Sequence, residues 1–423
     1  MIHIGKPYVT TEGDRAYLRA EVSIPKEAAH AYVDAVTPKR EFLIWMIDED
    51  YPPKAWDAPG HDLWFDVPSE YERYLCSERS NAFVTGLFWY AMVTGQDISF
   101  EAPMSERLYR GFTGMLMPRL EKAGFRPVKL IGPVTSEPVW FDGGVVAGMS
   151  GGVDSFYTLH CYGNDDAPDG LRLTHLSHYT CSYIFKPDDV RTKSVEQAFA
   201  DEEAIENIIV DRVKKIASEK GMPIIVTNTN LDRDFYRGGY VYMAMYRYLA
   251  CTLALEHLYR AYISSSSGHY DRVYEPTLFG PTQHYETLLV DSLQTETFRY
   301  VSSDSEKRTE KLRALADDEV FRKNVTVCFD TKKDGGNCGV CYGCMKTMMP
   351  LDMLGKLDGF GESFDLGSYY RERRDRFRFL LDYSRSPEAS SARETVRQLK
   401  ELAQTEQTEA GRIFLEVCGE KAR

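Results

Sequence analysis

The residues best placed to do chemistry are Ser150-Gly151-Gly152-Val153-Asp154-Ser155. They follow an apolar run, Gly143 to Met149 (GGVVAGM), and open a helix-forming run from Val153 to Cys161. Two glycines let the backbone approach an anion closely, because no Cβ intervenes. Free amides at a helix start, with the positive end of its dipole, then hold phosphate. Ser150 and Ser155 add hydroxyl donors, and Asp154 is suited to placing Mg²⁺ beside phosphates. A lysine is missing from the loop, so this is not the GxxxxGK[ST] grip on a γ-phosphate. A tight strand–helix turn capped by Ser and Asp is the plainer alternative. The full hexapeptide between a strand and a helix favours nucleotide.

A second cluster is made of sulfur. Cys328 is followed by nine residues and then Cys338-Gly-Val-Cys341-Tyr-Gly-Cys344. Two CxxC steps sharing a cysteine can wrap one tetrahedral ion, and four thiolates without an open position describe structural Zn²⁺. A cysteine-ligated iron–sulfur cluster fits this setting less well, although spacing does not separate the two. Crowding of four of the nine cysteines into 17 residues suggests a metal before disulfides, and a reducing cytoplasm.

The elements that must carry these groups alternate strand and helix from residue 143 to about 327. GGVVAGM, LTHLSHY, IIVTNTN and YISSSS (Tyr262 to Ser267) read as strands; Val153–Cys161, Asp201–Lys220 and the apolar run from Tyr240 read as helices. Such alternation predicts a parallel sheet with helices on both faces, whose ligands bind beyond the carboxyl ends of the strands. Residues 1–142 read as an N-terminal α/β extension. Its strands are expected at Tyr17–Ile24, Glu41–Ile47, Pro127–Ile131 and Val139–Gly148, and its helices at Glu70–Val93 and Met104–Ala123, with Ser105 capping the second. Residues 143–350 form the expected catalytic domain, and 351–423 a helical segment.

The chain has 423 residues, a length that suggests about two domains. Its net charge of −13 argues against nonspecific binding to nucleic acid or anionic membranes. The apolar stretch Tyr240–Ile263 carries Arg247, Glu256, His257 and Arg260, which a spanning helix would not, so it reads as core. The start, MIHIGKPYVTTEGD, has no apolar run after a basic cluster and does not read as a secretory signal.

SGGVDS resembles the signature SGGxDS of the pyrophosphate-loop (PP-loop) ATPases. The resemblance implies that the loop, Gly148 and Ser150 to Ser155, holds the phosphates of ATP, which is cleaved between the α- and β-phosphates as the substrate is adenylated. With SGHYD (Ser267 to Asp271) after the fourth strand and C-x9-C-x2-C-x2-C following, the order of motifs over about residues 143–350 resembles the 7-cyano-7-deazaguanine synthase (QueC) family. That family uses ATP and ammonia to turn a 7-carboxy-7-deazaguanine into an amide and then a nitrile. His269-Tyr270 replaces an expected Tyr-Pro, TCSYIFKPDD (residues 180–189) departs from the family's FDYGQ, and the extensions at both ends have no counterpart in the short enzymes. The chain looks more like the long QueC-like proteins of bacterial antiphage defence operons. That likeness implies a protein amine as acceptor, encoded nearby, and a product that stops at an amide.

Other residues carry a functional and a plainer reading side by side. Arg237, flanked by aromatics and glycines, can clamp a carboxylate or phosphate, or simply open a helix on the surface. Ser267, Gly268 and Asp271 can line a substrate pocket, Asp271 accepting from a guanine-like edge, or merely finish a strand and make a turn. His175 and His178 point to opposite strand faces, not to a joint metal site, and read as ordinary strand histidines. Cys161 and Cys181 read as buried inert thiols, and Ser150 lacks the G-x-S-x-G elbow of a hydrolase nucleophile. Trp45, Trp56, Trp64 and Trp89 read as core and loop aromatics. Arg371, Arg373, Arg374, Arg376 and Arg378 read as a solvated, salt-bridged helix face rather than a phosphate or partner site. Two rival functions remain: a tRNA-modifying or thiolating PP-loop enzyme, disfavoured by the acidic charge, and a non-catalytic nucleotide-binding scaffold, disfavoured by the intact loop. Oligomeric state stays open, a homodimer included.

Overall fold

The computed structural model describes residues 1–25, 60–122, 125–181, 194–235, 240–265, 289–290, 292–303, 306–328, 335–386 and 389–422. Its strands in chain order are β1 (Ile2–Ile4), β2 (Tyr8–Glu12), β3 (Arg15–Ser23), β4 (His61–Pro68), β5 (Ile98–Phe100), β6 (Met104–Ser105), β7 (Leu130–Ile131), β8 (Val134–Thr135), β9 (Gly144–Gly148), β10 (His175–Thr180), β11 (Ile224–Thr229), β12 (Tyr259–Ser264) and β13 (Arg299–Ser302). The main helices are α1 (Asn81–Thr94), α2 (Val153–Tyr162), α3 (Val195–Glu219), α4 (Tyr240–Ala254), α5 (Arg308–Leu315), α6 (Glu319–Asn324), α7 (Tyr342–Met353), α8 (Leu366–Tyr383), α9 (Ser390–Thr405) and α10 (Glu409–Ala422).

Eleven strands make one sheet in the order β13-β12-β9-β10-β11-β4-β3-β1-β5-β7, with β2 beside β3, while β6 and β8 pair separately. The five strands β13-β12-β9-β10-β11 are all parallel. The chain enters this block at β9, winds outward through β10 and β11, then returns to the other side of β9 for β12 and β13. The reversal between β9 and β12 opens a crevice at their carboxyl ends, the usual ligand position in such sheets. The expected α/β class and parallel sheet are therefore present.

Beyond β11 the sheet continues antiparallel through β4, Asn228 facing Asp66 and Thr229 facing Phe65. The join is polar and buried. Asp66 accepts from the Asn228 backbone (3.1 Å) and side-chain amide (2.8 Å) and pairs with Arg15. Strands from the first 68 residues thus extend the sheet that holds the glycine loop.

Period-two burial makes the sheet two-faced. In β3, Ala16, Leu18, Ala20 and Val22 are buried, and they share one core with Val146, α1 and α4. Val145 and Ala147, the neighbours of Val146 on β9, face a second core with α2, α5 and the carboxyl-terminal helices. Helix α1 is buried over all 14 residues, as an uncharged helix between a sheet and α4 must be.

Several boundaries differ from expectation. The segment expected as one helix from Glu70 is a 3₁₀ turn, Ser69–Tyr74, separated from α1. The amides of Cys76 and Ser80 are taken by the Ala254 and Pro103 carbonyls, so no helix continues through them. The apolar run from Tyr240 is helical only to Ala254 and becomes β12 at Tyr259, earlier than the YISSSS segment suggested. Ser105 caps its helix by accepting from Leu108 N, but Met104 and Ser105 form β6, and the helix expected from Met104 runs only from Glu106 to Lys122 with a π turn at Gly111–Leu116; the tail is helical as expected. No helix among the described residues is long and apolar enough to cross a membrane. The expected strand Glu41–Ile47, with Trp45 and Trp56, lies outside the described residues.

Candidate functional site

The glycine loop leaves β9 at the crevice between β9 and β12. Gly151 adopts φ +77°, a left-handed conformation that a side chain disfavours, and its carbonyl accepts from Thr326 N at 2.8 Å. Gly152 is the N-cap of α2 and offers no side chain to it. The helix start therefore presents its amides without a built-in cap, as an anion site requires. The two loop hydroxyls are locally bonded: Ser150 donates to Ser155 Oγ (3.3 Å), and Ser155 donates to the Gly152 carbonyl (2.9 Å). A cavity of about 240 Å³ opens over the loop, lined by Gly148, Ser150, Gly152, Asp154 and Ser155 together with Ser177, His178, Tyr248, Tyr262 and Ser264.

Asp154 is the hinge of the local electrostatics. Arg308 Nη1 donates to its Oδ2 and Lys311 Nζ to its Oδ1, both at 3.0 Å. Burial pushes the Asp154 carboxyl up, but the charges of Lys311, Arg308 and Lys346 outweigh it and hold the group below its usual value. Lys346 is pushed down to about 8 by burial and by Arg308, against the pull of Asp154. Three cations thus act on one carboxylate beside a helix start, an arrangement suited to a polyanion. The carboxylate expected to place Mg²⁺ is itself bonded to two cations here. Arg308 also donates to Thr347 Oγ1 (3.1 Å), which joins this cluster to α7.

His178 forms another wall of the cavity. Its Nδ1 donates to the Met149 carbonyl (3.0 Å) and its Nε2 to Glu206 Oε1 on α3 (2.5 Å). With Glu206 ionised both partners are acceptors, an arrangement that favours the imidazolium form of the ring. Burial lowers its pKa, yet the bonds to Glu206 and Met149 hold it above the ordinary histidine value. His178 thereby grips the carbonyl that leads into the loop. His175 faces the other core, against Tyr71 and Tyr259, so the two histidines do sit on opposite faces.

Arg308, Lys311, Lys346, His178 and Glu206 were missed as site residues by sequence reasoning. Only their proximity to the cysteine motif, for Lys346, or to the loop strand, for His178, offered a signal. Cys181 is buried with its thiol pushed far up by burial, which is not the environment of a reactive thiol, whereas Cys161, also expected to be buried, lies only partly buried on α2. Arg237, Ser267, Gly268 and Asp271 lie outside the described residues, as does the departing segment after Cys181.

The four cysteines converge at the start of α7. Sulfur separations are 3.5 Å for Cys341–Cys344, 3.7 Å for Cys341–Cys328 and 3.9 Å for Cys338–Cys344. Zinc–sulfur bonds of about 2.3 Å in a tetrahedron give edges of about 3.8 Å, and a disulfide would need about 2.05 Å. The amides of Cys338, Gly339 and Cys341 point at the sulfurs of Cys328, Cys344 and Cys338 at 3.3–3.5 Å, a set of donors that suits thiolates. The group can hold a structural metal ion such as zinc. Arg376 of the arginine-rich helix α8 bonds the Gly339 carbonyl between two of these cysteines. Arg373, Arg374, Arg376 and Arg378 pair with Asp352, Glu409, Glu416, Glu372 and Asp375, so the face is salt-bridged at these four as expected, but it is not wholly solvated, since Arg376 is buried.

No protein-family model, curated protein or solved structure matches this chain.

Proposed function

We propose that the protein is an ATP-dependent adenylating enzyme of the PP-loop type that joins a carboxylate to a nitrogen nucleophile. The observation that carries this reading is the uncapped SGGVDS loop at the β9–β12 crevice, faced by Arg308, Lys311 and Lys346 around Asp154. A carboxylate oxygen attacks the α-phosphorus of ATP, the bond to the β-phosphate oxygen breaks, and pyrophosphate departs. The nitrogen then attacks the acyl carbon, AMP leaves with the bonding pair, the nitrogen loses a proton to solvent, and an amide remains. The loop amides and the three cations hold and neutralise the pyrophosphate, which is mostly a matter of position and charge. Mg²⁺, carried in with ATP, would supply further charge neutralisation at the phosphates. Zinc at Cys328, Cys338, Cys341 and Cys344 would brace α7, which brings Lys346 and Thr347 to the loop.

The substrate class, a 7-carboxy-7-deazaguanine-type acid, rests on the resemblance in motif order. So does the choice of acceptor between ammonia, leading on to a nitrile, and a protein amine in a defence system. Mass spectrometry of a reaction of protein, Mg·ATP and that acid, with and without ammonium, tests both. AMP and a deazaguanine amide or nitrile, lost in Lys311→Met, are expected. An adenylate that persists without ammonium indicates a protein acceptor, and no AMP under any condition overturns the deazaguanine reading.

A further inference from the structure

A second group of ligating side chains meets at the opposite end of the sheet from the glycine loop. His257 lies just before β12, whereas the loop follows β9, and these strands run parallel. The sulfur of Cys76, a carboxylate oxygen of Glu78 and a ring nitrogen of His257 all fall within 4.8 Å of one another. Cys76 and His257 are buried, and half the side chain of Glu78 is exposed.

The groups are held for ligation. His257 Nδ1 donates to the Trp140 carbonyl at 2.8 Å, and the Trp140 ring stacks on the imidazole at 4.3 Å with 7° between planes. This bond fixes the tautomer and orientation as outer-shell partners do for metal-binding histidines, and directs Nε2 at the Glu78 oxygens, 3.0 and 3.1 Å away. A ring nitrogen and a carboxylate at that distance need a proton or a cation between them. The Cys76 amide is anchored on the Ala254 carbonyl (3.0 Å), and the His257 carbonyl accepts from Asp142 N (2.9 Å), so both backbones are fixed. Glu256, buried and bonded to Asn81 Nδ2 (2.8 Å), adds a second carboxylate near the thiol. Arg79 is the nearby cation, and its guanidinium is turned to the Glu78 and Glu137 carbonyls. A thiol buried between carboxylates is a poor nucleophile, since anions disfavour its thiolate, but it is a good ligand once a cation is present.

We infer that Cys76, Glu78 and His257 form a second metal site, for a divalent zinc-class ion bound by one thiolate, one carboxylate and one imidazole. Binding replaces two protons, that of the thiol and that shared by His257 and Glu78. Three protein ligands leave a fourth position open on the exposed Glu78 side, unlike the closed four-cysteine group. The ion ties the segment before α1 to the turn that feeds β12. None of this depends on the adenylation reading.

The test is zinc stoichiometry of the full chain, measured by inductively coupled plasma mass spectrometry after incubation with zinc and removal of the free ion. Two equivalents are expected in the wild type, one in Cys76→Ser/His257→Gln and one in Cys338→Ser/Cys341→Ser. Glu78→Gln keeps the buried pair and the fold, and should weaken one of the two zinc ions by roughly tenfold or more in competition with a chromophoric chelator. A single equivalent in the wild type, or two in Cys76→Ser/His257→Gln, would overturn the inference.

Discussion

Replacing Asp154 by Asn removes the carboxylate bonded to both Arg308 and Lys311 while keeping the size of the side chain. Lys311 is almost wholly buried, with 2% of its side chain exposed, so little water can replace the Asp154 charge when it is neutralised. Removing one member of a buried charge pair costs about 3–5 kcal/mol. For a chain longer than 250 residues about 2 °C of Tm is lost per kcal/mol, so a fall of roughly 6–10 °C is expected at neutral pH. The sign with pH follows from the depressed carboxyl: its contribution is present above the unfolded value near 3.8 and is lost as pH falls through the lower folded value. The Tm gap between wild type and variant should therefore close in acid. Inorganic pyrophosphate supplies the missing negative charge, so it should raise the Tm of the variant more than that of the wild type. Differential scanning fluorimetry with and without pyrophosphate reads both effects. A Tm within about 1 °C of wild type, or an equal pyrophosphate effect in both proteins, would refute an Asp154-centred cation cluster.

Gly151→Ala should lower stability by about 1–2 kcal/mol through backbone strain alone, because φ is +77° and the nearest atom to an added Cβ is Ile216 Cδ1 at 3.6 Å. Chemical denaturation checks this, and Gly151→Asn should lose less. Glu206→Gln should destabilise most below about pH 6.5, since the raised His178 value places the stabilisation below the unfolded pKa and removes it as pH rises through the folded one. Thermal melts across pH 6 to 9 should show the gap to wild type shrinking, and a constant gap would contradict an imidazolium at His178.

Much of the site was legible because it is local. The glycine loop needs only a strand, two glycines and a helix in succession, and the spacing of Cys338, Cys341 and Cys344 brings three sulfurs together within one turn. The parallel block was readable from apolar runs alternating with helical ones. Boundaries failed where tertiary bonds took over the backbone, as at Cys76 and Ser80, whose amides are claimed by Ala254 and Pro103.

What the sequence determined by itself is the set of short-range constellations: a phosphate-type loop after a strand, a four-sulfur group, and the alternation that makes a parallel sheet. The tertiary structure alone decided who faces them. Arg308 and Lys311 reach Asp154 across 154 and 157 residues, Glu206 reaches His178 on β10 from helix α3, and His257 meets Glu78 across 179 residues. Likewise, only the pairing of β4 with β11 places the amino-terminal strands in the same sheet. Periodicity reports which face of an element is apolar, because burial acts on each element separately. It carries no record of which distant charges that burial brings within 3 Å of one another.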